Sequence, residues 1–93
     1  MIEKNIIKFK QWTSDIYNSV EDDLKTEMKE AIKENPSWGW DQINFQDVYA
    51  CAINFLPPIY TKRGKEPQHR LSKEEIRHAI YRAMQRVEAN PLV

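Results

Sequence analysis

The sequence predicts an all-α fold: a long N-terminal helix, a central buried helix and a basic C-terminal helix. They form one domain over residues 1–93, assembled as a dimeric helical bundle. Three observations predict it. Apolar side chains recur every four residues through Ile16, Val20, Leu24, Met28 and Ile32, one stripe of a helix. Ser72-Lys73-Glu74-Glu75 is a capping box just ahead of a second apolar row. Glycine holds only two positions in a chain that is 41% hydrophobic and 30% charged, the composition of a folded helical domain rather than a disordered one. A chain of 93 residues suffices for one domain but buries only part of its surface as a monomer. Self-association is the common remedy.

The first helix is predicted over residues 3–34. Ile6, Phe9, Trp12 and Tyr17 widen its stripe near the start. Steps of exactly four drift around a straight helix, which leaves room for a bend or break near Thr13 or Asn18. Glu21 with Lys25, and Glu30 with Glu34, mark the solvated side. Asn35-Pro36 ends the helix. Trp38 and Trp40 follow in a turn; one is expected to pack on the domain, leaving the other to stack on a base or a partner chain.

The second helix is predicted from Phe45 to Leu56, with Asn44 as N-cap and Asp47 in the first turn facing the positive helix end. Apolar residues occupy nearly every side of it, which marks a buried helix. Pro57-Pro58 stops it. Residues 59–71, with Gly64 and Pro67, read as a loop. The third helix starts at the capping box, buries Ile76, Ile80, Ala83, Met84 and Val87, and ends at Asn90-Pro91.

Net charge is zero, but it is split. Residues 1–61 hold six Lys against ten Asp and Glu, and residues 62–93 hold eight Lys and Arg against four Glu. All five arginines, Arg63, Arg70, Arg77, Arg82 and Arg86, fall in the last third. A guanidinium grips phosphate with two parallel bonds and stacks on flat rings, which an ammonium cannot do. The segment from Tyr60 to Arg86 interleaves these cations with Tyr60, His69 and Tyr81. Lys73, Arg77 and Tyr81 lie one turn apart along one side of the third helix, read as turned to solvent, and Arg82 with Arg86 make a second row.

Catalytic signatures are missing. His69 and His78 stand nine apart with a single cysteine, which is not a metal-ligand spacing. Cys51 lies in an apolar segment and reads as a small core residue; Ser72 is committed as a cap. Two isolated glycines make no phosphate-binding loop. The expectation is a binding protein without catalytic activity, metal or cofactor. No apolar run approaches the roughly 20 residues of a membrane span, and Lys8 and Lys10 break any signal-like stretch, so the cytoplasm is the expected compartment.

Asp47-Val48-Tyr49-Ala50-Cys51-Ala52-Ile53-Asn54-Phe55-Leu56-Pro57-Pro58-Ile59-Tyr60 resembles the signature of the late competence protein ComFB family: an acidic residue, a helix of small residues, then Asn-x-Leu-Pro-Pro-x-Tyr. The resemblance is sharp over these residues and rests elsewhere on helix order. It implies a small helical protein that dimerises. Cyanobacterial relatives are receptors for cyclic di-GMP, and the resemblance implies that ligand here. Some relatives bind zinc through several cysteines, which this chain lacks. Where the family has a basic residue before Leu-Pro-Pro, this chain has Phe55.

The chemistry suits that ligand. Guanine accepts a bidentate arginine at O6 and N7, donates to a carboxylate, and stacks on rings. The expected ligand residues are Asp47, Tyr60, Lys62, Arg63, His69, Arg70, Arg77 and Tyr81. Arg63, Arg70 and Arg77 are expected to carry most of the phosphate and guanine recognition, and Asp47 is the candidate carboxylate. Partners on this reading are the dinucleotide, a second copy of the chain, and a transcription regulator or other protein. The rival expectation is a nucleic-acid-binding or protein–protein adaptor that regulates competence.

Overall fold

A computed structural model describes residues 13–89. The expected start of the first helix, with Ile6, Phe9 and Trp12, and the stop at Asn90-Pro91 lie outside the described residues. The elements are β1 (Ile16–Asn18), α1 (Val20–Glu34), α2 (Gln42–Phe55), β2 (Tyr60–Lys62) and α3 (Lys73–Ala89). The fold is mostly helical, but it is not all-α. The two short strands pair antiparallel, with Ile16 opposite Lys62, Tyr17 opposite Thr61 and Asn18 opposite Tyr60.

This sheet corrects the single helix expected over 3–34. The break falls at the Asn18 position that the drift of the stripe had left open. The Asn18 side-chain oxygen accepts from the Val20 amide at 3.1 Å and from the Ile59 amide at 3.0 Å. It thus caps the start of α1 and ties β2 to it, a local bond that competes with continued helix. Ile16, the first member of the expected stripe, is half exposed on the strand. Within α1 the buried face is Val20, Leu24, Met28 and Ala31. The last step is three rather than four, as a period of 3.6 requires, so Ala31 replaces Ile32 in the core.

Helix α2 begins earlier than predicted. Asp41, not Asn44, is the N-cap: its carboxylate accepts from the Asn44 amide at 2.7 Å. Asn44 serves the turn instead, donating its side-chain amide to the Gly39 carbonyl at 2.9 Å. Gly39 has φ of 88°, a conformation that favours glycine. Asp47 therefore sits in the second turn of the helix, further from its positive end. The burial of α2 is one-sided: Val48, Cys51 and Ala52 are inside, while Ile43, Ala50 and Asn54 are exposed.

Helix α3 starts at the predicted cap. The Ser72 hydroxyl oxygen accepts from the Glu75 amide at 3.1 Å, and the hydroxyl donates to the Glu75 carboxylate at 3.2 Å. Removing this cap in Ser72→Ala is expected to cost about 1 kcal/mol, read as a shift in the urea midpoint with an unchanged slope. Ile76, Ala79, Ile80, Ala83, Met84 and Val87 are buried. They complete one core with α1 and α2.

Both tryptophans pack on the domain. The rings of Trp38 and Trp40 lie against each other, 4.5 Å between centroids, and both pack on the core. The Trp40 indole donates to the Asn35 carbonyl at 2.9 Å, and the Trp38 indole to the Glu88 carboxylate. The pair locks the α1–α2 turn onto the end of α3. Among the described residues, no helix is long and apolar enough to cross a membrane.

Candidate ligand-binding site

The strand pairing decides which loop residues face outward. Side chains alternate along a strand, so Thr61 points in and Tyr60 and Lys62 point out. Thr61 is buried and donates to the Ser19 hydroxyl at 3.2 Å. Ser19 in turn donates its hydroxyl to the Ile59 carbonyl at 3.0 Å, and its amide donates to the same carbonyl at 2.9 Å. This knot holds the backbone of β2 while its outward residues stay open. Tyr60 is 72% exposed, unusual for a tyrosine ring.

On one side of Tyr60 lies an open groove of about 630 Å³, where Tyr60, Lys62, Lys65 and His69 meet. On its other side a second groove of about 440 Å³ runs past Asp15, Ile16 and Lys62. Arg63 stands nearby. Its amide donates to the Asp15 carbonyl at 2.6 Å, its Nε to the Ser14 carbonyl at 3.1 Å, and its guanidinium lies 5.2 Å from the Tyr17 ring centre. The structure thus gathers Tyr60, Lys62 and His69 around one groove, while the Arg63 guanidinium lies over Tyr17, the cross-strand partner of Thr61, and so on the other side of the strand from Tyr60. Lys65 belongs to the same groove as Tyr60. Asp15 and Ile16 were missed, because a continuous helix would have carried them elsewhere.

The other expected residues lie apart from this groove. The Arg70 Nη1 pairs with Asp23 at 2.6 Å and its Nη2 with Glu66 at 3.6 Å. Arg70 borders a smaller cleft of about 190 Å³ with Thr26, Leu71 and Lys73. Arg77 does not face solvent as the helix row had suggested; Tyr81 is exposed, but its hydroxyl is engaged. Arg77 donates through Nε to Glu27 at 2.7 Å and through Nη1 and Nη2 to Glu34 at 2.6 and 3.0 Å. The Tyr81 hydroxyl donates to Glu34 at 3.1 Å. The physical reason is that α1 presents Glu27 and Glu34 beside its buried face, opposite α3. The Arg77 and Tyr81 hydrogen bonds hold the Glu34 carboxyl below its ordinary value of 4.5. The same carboxylates raise the already high pKa of Arg77, so its charge is permanent. Asp47 is half-buried on α2 and has no hydrogen bond or ion pair among the described residues.

Chemically the loop face offers ammonium and guanidinium donors, an imidazole and a free aromatic ring. This is a set for non-covalent recognition of an anion that bears a flat ring. Cys51, the one thiol, is buried. Among the described residues, no three His, Cys, Asp or Glu side chains cluster as metal ligands would.

No curated protein matches the chain. No solved structure matches it. The profile of the family described as late competence development protein ComFB matches residues 17–91, which spans β1 to the end of α3 and includes both the Leu-Pro-Pro-x-Tyr corner and the outward face of β2. The chain is a member of the ComFB family.

Proposed function

We propose that the protein is a cytoplasmic, non-catalytic receptor for cyclic di-GMP. It binds through the loop around β2 and signals, as a homodimer, through a protein partner. The observation that carries this reading is the Tyr60 ring standing out of its strand beside Lys62, over a groove that also holds Lys65 and His69. The ring stacks on a guanine, and Lys62 and His69 meet the phosphates. Arg70, Arg77 and Tyr81 contribute to the ligand only by exchanging a carboxylate of α1 for a phosphate, so their first role is to hold α3 in place.

Isothermal titration with cyclic di-GMP at moderate salt tests the reading. Stacking on an aromatic ring contributes about 1–3 kcal/mol per base, so Tyr60→Ala is expected to weaken binding at least tenfold. No heat with ligand at tens of micromolar removes the proposal. Equal affinity for cyclic di-AMP removes the guanine contacts from it. Steeply salt-dependent binding to unrelated DNA duplexes favours the adaptor reading, which the family's competence description also suits.

A further inference from the structure

The carboxylates account for Arg70 and Arg77 but not for Arg82 and Arg86. These two lie one turn apart on α3, about 140° round the helix from the Arg77 row. Neither has a hydrogen bond or ion pair among the described residues. The acids nearest in the helix are engaged elsewhere: Glu75 in the Ser72 cap and Glu88 with the Trp38 indole.

The side they occupy is concave. The Arg82 guanidinium rests 4.2 Å from the ring centre of Phe55 on α2. That contact pre-positions it and spares part of the ordering cost on binding. Arg86 borders a groove of about 160 Å³ with Ala50, Cys51, Asn54 and Phe55. A space near 150 Å³ takes one aromatic ring, so the groove suits one ring and not a dinucleotide. Ala50 keeps its floor low. The Asn54 amide is exposed and has no partner among the described residues. Asp47, also without a partner, lies one turn before Cys51 on α2.

We infer that the α2–α3 groove is an anion site, separate from the loop face, for the phosphate of a small ring-bearing ester of the mononucleotide class. Arg82 and Arg86 grip the phosphate, the Asn54 amide adds a donor, the ring lies along Ala50 and Phe55, and Asp47 accepts from a ring N–H. The site stands or falls independently of cyclic di-GMP binding at β2.

Titration of the ¹⁵N-labelled protein with 5′-GMP, and separately with inorganic phosphate, is the test. The expected result is saturable shifts of the Arg82 and Arg86 Nε–H and Asn54 side-chain signals, with 5′-GMP binding more tightly than phosphate. Arg86→Gln, which leaves the Arg82–Phe55 contact in place, is expected to weaken 5′-GMP at least fivefold. Lys33→Gln, at the exposed end of α1, is expected to leave it unchanged. Shifts confined to residues 59–70, or unchanged affinity in Arg86→Gln, overturn the site. Phosphate binding as tightly as 5′-GMP overturns the ring contact.

Discussion

Arg77→Met is expected to lower the melting temperature by about 10 °C, from a loss of about 2 kcal/mol. The Arg77 and Glu27 side chains are only 15% and 14% exposed and meet at 2.7 Å. Methionine keeps the packing of the stem but leaves the Glu27 carboxylate sheltered from water without its cation. Removing one partner of such a pair costs more than the pair contributes. The exposed pair of Lys33 and Glu30, 3.6 Å apart, is the control: Lys33→Met is expected to change stability by a few tenths of a kcal/mol. Circular-dichroism melts of both variants decide it, and an Arg77→Met melt within about 2 °C of the parent sinks the claim. The same cluster sets an acid dependence. Glu34 has a lowered pKa in the folded chain, so its contribution is complete above 4.5, the ordinary value, and is lost as pH falls through the lower, folded one. Glu34→Gln is expected to flatten that limb of a stability–pH curve.

Asn18→Ala is the second large effect, a loss of about 2 kcal/mol from two amides that share one acceptor. The Val20 and Ile59 N–H groups both point at the Asn18 side-chain oxygen, and both are partly shielded from water. The effect reaches function, because Ile59 precedes the ring-bearing residue of β2. Loss of the tie is expected to speed hydrogen exchange at the Ile59 and Thr61 amides and to weaken ligand binding severalfold. Asn18→Asp, which keeps the acceptor, is expected to stay close to the parent at neutral pH. Parent-like exchange at Ile59 in Asn18→Ala sets this aside.

Local signals were legible and long-range ones were not. The Ser72 cap, the stop at Pro57-Pro58 and the core row of α3 are written in neighbouring residues and appear as read, and so does the middle of the α1 row, Val20, Leu24 and Met28. The strands are written in no neighbourhood. Ile16-Tyr17-Asn18 fits a helical row, and only pairing with Tyr60-Thr61-Lys62 on the far side of two helices makes it extended. Arg77 was misplaced for the same reason: its row looks polar on α3 alone, and what faces it is on α1. Glu27 and Glu34, seven apart and flanking Met28 and Ala31, were the available signal for an acidic edge beside the core. Tyr60 was singled out as a ligand residue from its place in the basic segment; that its ring stands exposed follows from strand alternation, which the sequence alone did not indicate.

The pairing of β1 with β2 also has a consequence in time. Ile16 and Lys62 are partners 46 positions apart in the chain, and the strands have three residues each. Closing so long a segment costs chain entropy before those few bonds offset it, whereas the turns of α1, α2 and α3 form from neighbouring residues and contacts of that kind form fast. The core closes a similar span, since Glu27 meets Arg77 across 50 positions, but it buries many apolar side chains in return, whereas the sheet has only its few bonds. The sheet is therefore expected to open before the core does, and with it the surface on which Tyr60 and Lys62 stand together.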